Sequence, residues 1–507
     1  MSAKLHFFNK VAVLLYMLMF TATVWGQSVT KDELIYNSEE GNTYASVGRE
    51  TRGITSANIL PSITINGKIL PVKVIKDRAF SNCTHLTSVT IPNSVTTIKN
   101  DAFSDCDELT TLTIPNSVTT ICNRAFYNCI KLTSLIIPNS VTTIEDKAFA
   151  YCRGLLSVTI PTSITTIGNR VFSSCEGLTT LIIPNSVTTI GDYAFFDCSG
   201  LTSVTIPNSV TTICDRAFSD CVRLTSVTIP NSVTTIQTMA FDKCRGITSF
   251  TVMPENPNYC DISGVLFNKA ATILIAYPIG RLSTSYTIPN SVITIGYNAF
   301  SGCPKLTSVI IPNTVTTIED NAFASCEGLT TFAIPNLVTT IKDYTFFNCK
   351  GITSITIPNT IKKVGGLAFY GCSGLTSINS FATTPPVAGR DAFRLITTSI
   401  PVYVPKGSLT SYKSAAEWSK FSNIIETDFV GIEESIADTG NLISFTGSKI
   451  TISATVNGKL VEIYNASGHL VRSTSTTDET TIIDISDLPE GIYIVKAGER
   501  TQKLIKR

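Results

Sequence analysis

Apolar and polar positions recur along most of this chain with a period of 23 residues. Phe80, Phe103, Phe126, Phe149, Phe172, Phe195, Phe218 and Phe241 are each 23 apart. After an interruption come Phe300, Phe323, Phe346 and Phe369 at the same spacing, and then Phe393 at 24. Eight, four and one make thirteen copies, the last degenerate. Within one unit, Leu86-Thr87-Ser88-Val89-Thr90-Ile91 predicts a strand with Val89 and Ile91 on one face and Ser88 and Thr90 on the other. Pro92-Asn93 follows as a turn, because proline cannot donate to a ladder and asparagine tolerates turn geometry. Val95 and Ile98 form a second short apolar stretch, and Ala102, Phe103 and Cys106 close the coil. One unit cannot bury these residues alone. Stacking sets Leu on Leu, Ile on Ile and Phe on Phe, so the core exists only between neighbours. The expected fold is a repeat solenoid with one strand plus short turns per coil. At roughly 4.8 Å between paired strands, thirteen coils extend on the order of 60 Å.

Self-similarity at this period is the signature of a leucine-rich repeat. The strings LTSVTIPNSVTTI and RAFSDC resemble the BspA-like, or Treponema pallidum-type, leucine-rich repeats over about residues 59 to 395. Residues 59–75, ILPSITINGKILPVKVI, are similar to the hairpin that caps the first coil in that family. The period breaks over 251–287, where MPENPNYCDISGVLFNKAATILIAYPIG resembles the family's β-hairpin insertion. Residues 400–425 look like its closing segment. An open coil end would expose apolar edges, so caps are expected at both ends. The expected organisation is a signal peptide over 1–26, a leader and capping hairpin over 27–75 and a solenoid over 76–395. A cap and linker follow over 396–427, and a small all-β sandwich over 428–507.

The two ends carry export signals. Lys4 and Lys10 precede an apolar run from Val11 to Phe20, and small or tolerated residues lead to Gln27. This pattern predicts a secretory signal peptide cut between Gly26 and Gln27. The alternative, an uncleaved anchor, needs about 20 apolar residues, more than this run offers. No later segment is long and apolar enough to make a span in the mature chain. From about Asp428 the repeat gives way to short alternating strands, predicting an antiparallel sandwich. The strings VEIYNASGHLV, IDISDLPEGIYIVK and QKLIKR resemble the type A C-terminal sorting domain of the type IX secretion system. That resemblance implies the type IX machinery as a partner, passage across the outer membrane, and a secreted or surface-attached product. A generic immunoglobulin-like adhesion module is the other reading of the same strands.

Composition narrows the chemistry. Lys+Arg 39 against Asp+Glu 38 leaves no basic excess for a phosphate backbone, so nucleic acid is not an expected partner. Charged residues are only 15%, which leaves Thr, Ser and Asn to cover the surface. Twelve of fifteen cysteines stand three residues after a repeat Phe, from Cys83 to Cys372. Export invites a disulfide reading. Identical side chains on successive coils point in parallel, however, and a free thiol serves as a small buried hydrophobe. Buried thiols are therefore expected. The only histidines are His6, His85 and His469, no nucleophile, metal-ligand or phosphate-loop motif appears, and the expected roles are non-enzymatic without cofactor or metal. Acids at variable turns, such as Asp101, Asp105, Asp107, Glu145 and Asp146, read as solubilising charges.

The outward face of the long strand remains. Ser88, Thr111, Ser134, Ser157, Thr180, Ser203, Ser226 and Ser249 form one column, and Thr90, Thr113, Thr159, Thr205 and Thr228 much of the next, broken by Ile136 and Ile182. Hydroxyl residues of this kind suit any exposed sheet. They also make a broad, weakly charged platform for protein ligands or glycans, since repeat proteins bind along extended surfaces. The expected function is binding or adhesion, and the resemblance to the BspA-like family implies host matrix, host cells or other bacteria as the targets. A glycan-binding accessory or a structural envelope protein is the alternative.

Overall fold

The computed structural model describes residues 27–38, 43–49, 53–330, 332–429, 443–446, 449–453, 460–465, 470–475, 480–488, 491–497 and 500–506. The proposed signal peptide, Gly26 and His469 lie outside these residues.

The sequence period is realised as a β-solenoid of about 16 turns. Each regular coil has a three- or four-residue strand, a two-residue strand and a turn, as in Ser88–Thr90, Thr97–Ile98 and the segment through Phe103. Strands of successive coils pair parallel at a 23-residue offset, for example Ser134↔Ser157, Leu135↔Val158 and Ile136↔Thr159. The middle residue of the long strand points inward, while its flanking residues face solvent. Inside, Leu, Val, Ile, Phe and Cys form two continuous cores that meet at the sequence interruption.

The turn has its own backbone ladder, which sequence periodicity does not reveal. Arg78 and Asn82 adopt positive φ of 55° and 60°, and the same two places recur coil after coil, as at Asp101 and Asp105. This conformation costs an L-residue about 1–2 kcal/mol. In return, alternate N–H groups point along the stack. Arg78, Phe80 and Asn82 donate to the carbonyls of Asn100, Ala102 and Ser104 in the next coil at 2.8, 2.6 and 2.8 Å. The intervening Ala79, Ser81 and Cys83 close local turns instead. The turn ladder is therefore polar: each coil gives N–H groups forward and offers carbonyls backward.

Phe rings stack on this ladder, with centroids 4.9 Å apart for Phe80–Phe103 and 5.7 Å for Phe149–Phe172, within 7° of parallel. Thirteen Phe rings mark thirteen coils, yet about 16 turns form. The others lack the marker. Tyr277 takes the ring position of one, pairing with Phe300 at 5.1 Å. The closing strands Val402–Pro405 and Ile424–Thr427 extend the long-strand ladder without a repeat Phe. The interruption is accordingly an enlarged coil. Ser249–Val252 and Ile273–Ala276 keep ladder places, and Tyr259–Ile262 with Val265–Asn268 forms the added antiparallel hairpin.

At the start, Gln27–Lys31, Leu34–Ser38 and Ala45–Arg49 form an antiparallel meander that joins Lys68–Ile75 in parallel. Ser62–Ile65 and Lys68–Ile75 make the expected hairpin. At the end, a short helix Leu409–Ser414 and the buried Trp418 close the last coils. Among the described residues no helix is long and apolar enough to cross a membrane. Asp428–Arg507 is a separate unit. Its strands form two antiparallel sheets around one core that includes Ile450, Ile463, Ile483, Val495 and Leu504.

Candidate functional site

The long-strand ladder positions the predicted face. Ser88, Thr90, Thr111, Thr113, Ser134, Ser157, Thr159, Thr180, Ser203, Thr205, Ser226 and Thr228 are all exposed. Parallel pairing brings equivalents together on adjacent coils, as in Thr180↔Ser203 and Ser226↔Ser249. Their hydroxyls make no hydrogen bond to protein among the described residues, so they face water. The threonine just before each strand behaves differently. Thr202 Oγ1 donates to the Thr179 carbonyl at 3.1 Å and Thr225 Oγ1 to Thr202 at 3.3 Å, and Thr307 and Thr376 repeat the bond at 3.0 and 2.9 Å. A similar column runs beside the short strand, from Thr119 and Thr142 to Thr211 and Thr234. Two kinds of threonine thus share the surface. One ties coils together, and the other is free to meet a ligand.

The same face holds exposed apolar side chains. Ile136 and Ile182 are 70% and 77% exposed, far above a strand residue that has found a partner. Leu156, at a position where neighbouring coils carry Thr, and Ile310 further along are exposed as well. In the sequence the two isoleucines stand out only as breaks in a column. The departure of Leu156 and Ile310 from the repeat consensus is the signal that would have found them.

Turn acids do more than dissolve the protein. Asp146 Oδ1 accepts the Asn169 N–H at 3.0 Å, Glu145 accepts the Asn123 N–H at 2.9 Å, and Asp105 accepts from the Asn128 amide at 2.9 Å. These carboxylates are joints between coils. His85 is exposed, and among the described residues no group of His, Cys, Asp and Glu is placed to hold a metal ion.

All fifteen cysteines are free thiols, and the twelve of the repeat column are buried. In ten coils, from Cys106 to Cys372, Sγ lies 3.0–3.3 Å from the carbonyl of the ring Phe one coil earlier and donates to it. Burial pushes the thiols of Cys198, Cys326 and Cys372 up to about 12, against a partial offset from the backbone hydrogen bond. Without an ionised thiolate they are poor nucleophiles and poor metal ligands.

A parallel coil with short strands, an inward Leu/Ile/Phe ladder and an exposed hydroxyl face defines a leucine-rich-repeat protein. The model for the BspA type leucine rich repeat region matches residues 57–179, 165–273 and 281–397, well over half of the chain, and this protein belongs to that family. The secretion system C-terminal sorting domain matches residues 446–507, which makes this a type IX cargo for the cell surface or the exterior. Among solved structures, a leucine rich cell surface protein from Faecalibacterium prausnitzii is 28% identical with a TM-score of 0.56, covering 82% of this chain and 98% of its own. The pneumococcal vaccine antigen PcpA shares the fold at 19% identity and a TM-score of 0.53, over 80% of this chain and 99% of its own. No curated protein matches the sequence.

Proposed function

We propose that this surface protein is a non-enzymatic adhesin whose ligand face is the long-strand sheet. The observation that carries the reading is the division of labour among hydroxyls: the structural Thr columns are bonded from coil to coil, while the twelve outward Ser and Thr keep their hydrogen-bonding capacity for a partner. Ile136, Leu156 and Ile182 add apolar anchors to that polar field, and exposed apolar side chains within a polar rim are characteristic of protein-binding surfaces. Repetition over many coils favours avidity over one deep pocket. Export begins with cleavage between Gly26 and Gln27, the sorting unit from Asp428 directs passage through the outer membrane, and the ligands are host matrix or cell-surface proteins or other bacteria.

The mature chain, immobilised and presented with matrix proteins, epithelial cells and bacterial cells, should retain at least one of them. Returning the three apolar positions to the consensus, as Ile136→Thr, Leu156→Thr and Ile182→Thr together, should weaken retention at least tenfold with an unchanged melting temperature. Retention equal to that of the parent chain, or no retention of any partner, would sink the reading. Mass spectrometry of the mature ends checks the export route.

A further inference from the structure

The enlarged coil leaves the turn ladder broken at one step. Everywhere else in the run, the ring residue donates its N–H to the next coil, as Phe218 does to Ala240 at 2.8 Å and Tyr277 to Ala299 at 2.7 Å. At the step between, the N–H groups of Met239 and Phe241 have no hydrogen bond among the described residues, and that of Lys243 turns to the Asp242 carboxylate instead of the next coil. The cause is local. Ala276, which precedes the ring residue Tyr277 and would face Phe241, pairs instead with Leu266 of the inserted hairpin. The short-strand edge of the same coil is closed by side chains: Tyr259 Oη accepts the Ile236 N–H at 2.8 Å, and the Asn256 and Asn258 amides donate to Val233 and Thr234. The turn edge received no such closure.

A cavity of about 60 Å3 lies at this gap, lined by residues that include Phe241, Asp242, Phe250, Leu266, Tyr277 and Asn298. Two of its polar atoms are buried without a partner, the Tyr277 hydroxyl and Asn298 Oδ1. Tyr277 is only 4% exposed, and a buried hydroxyl left unpaired is destabilising. Burial also raises the pKa of Asp242, with Asp220 adding to the rise and the Lys243 charge and hydrogen bonds from the Asn298 side chain and the Lys243 N–H opposing it. Donors, acceptors and an apolar wall therefore meet in a space of about four water-sized positions.

The geometry points to a binding site for an acetamido group at the break in the solenoid. Such a group has four heavy atoms. Its carbonyl oxygen would accept from the Phe241 N–H, standing in for the carbonyl that a regular next coil provides, and with its second lone pair from the unpartnered Tyr277 hydroxyl. Its N–H would donate to Asn298 Oδ1, and its methyl would rest against Phe250 and Leu266. The group occurs on 2-acetamido sugars and on acetylated peptide ends, and the wall distinguishes the group rather than its source. This site is separate from the strand face and stands whatever that face binds.

Saturation-transfer NMR on the purified full-length chain tests it, with N-acetylglucosamine, glucosamine and N-acetylglycinamide as probes. The expected result is saturation of the acetyl methyl protons and none of glucosamine; a response from only one acetylated probe supports the site and identifies the source. Tyr277→Phe restores the ring of every other coil and removes only the hydroxyl, and Asn298→Gly suits its φ of 56° while removing Oδ1. Each should lower affinity about tenfold with an unchanged melting temperature. Silence from both acetylated probes, equal saturation of glucosamine, or parent-like binding by both variants overturns the assignment.

Discussion

The two ends of the solenoid meet the same difficulty with opposite means. At the start, the first turn offers carbonyls with no earlier coil to fill them, and Arg49 Nη1 donates to those of Arg78 and Ala79 at 3.2 and 3.0 Å. The apolar edge there is covered by added strands, with Tyr36 and Val47 inward and Tyr36 Oη accepting the Leu60 N–H at 3.1 Å. At the far end the cover is aromatic. Trp418 lies 4.8 Å from Phe393 and Phe421 lies 5.5 Å from it. Trp418 Nε1 donates to the Pro386 carbonyl at 2.9 Å, and the Tyr412 hydroxyl to Ala382 at 2.8 Å. A directional stack has one end rich in acceptors and one rich in donors. A cation suits the first; at the second, bulky rings cover the apolar edge and place their own N–H and O–H on nearby carbonyls rather than on the outgoing N–H groups.

The comparison can be broken most forcefully at the aromatic end. Trp418→Ala should cost about 3–5 kcal/mol and unravel the last coils first, seen as early loss of hydrogen-exchange protection around Phe393. Exchange lost evenly along the array would refute an end-specific cap. Alkaline pH should act between the ends. A thiol held near 12 in the fold but near 9.0 when unfolded favours the folded state fully below pH 9, and that advantage is lost as pH rises toward 12. Cys198, Cys326 and Cys372 together should remove on the order of 4 kcal/mol by pH 10, read from urea unfolding at pH 7, 9 and 10.

Arg49→Ala is a milder change. Loss of charge-assisted bonds to two carbonyls should cost about 1.5–3 kcal/mol, localised to the first coils. The smallest contrast separates the two threonine columns. Thr202→Val should cost about 0.5–1.5 kcal/mol through its bond to Thr179, whereas Thr205→Val should stay within about 0.5 kcal/mol. Equal effects at both would dissolve the distinction on which the ligand face rests.

The coil itself was legible because each inward side chain repeats at one interval, and stacking demands that repetition. Markerless coils were not. Tyr277 hides in a segment whose spacing is stretched by a hairpin, and Val402–Pro405 and Ile424–Thr427 join through backbone alone. The outward columns could be read from alternation, but not which hydroxyls were already engaged, since that depends on the distance from one coil to the next. Arg49 as a cap was equally hidden: its partners lie 29 and 30 residues away, outside the period.

Uniform joints have an evolutionary corollary. Every regular coil meets its neighbours through the same side chains and the same bonds, so removing or duplicating one whole unit recreates the junction it disturbs. Insertions of other lengths must be looped out, as the hairpin at Tyr259–Asn268 is, or they shift every inward residue to the outside. Recombination between near-identical copies in the gene can therefore change the reach of this protein in steps of 23 residues while selection sees an intact fold.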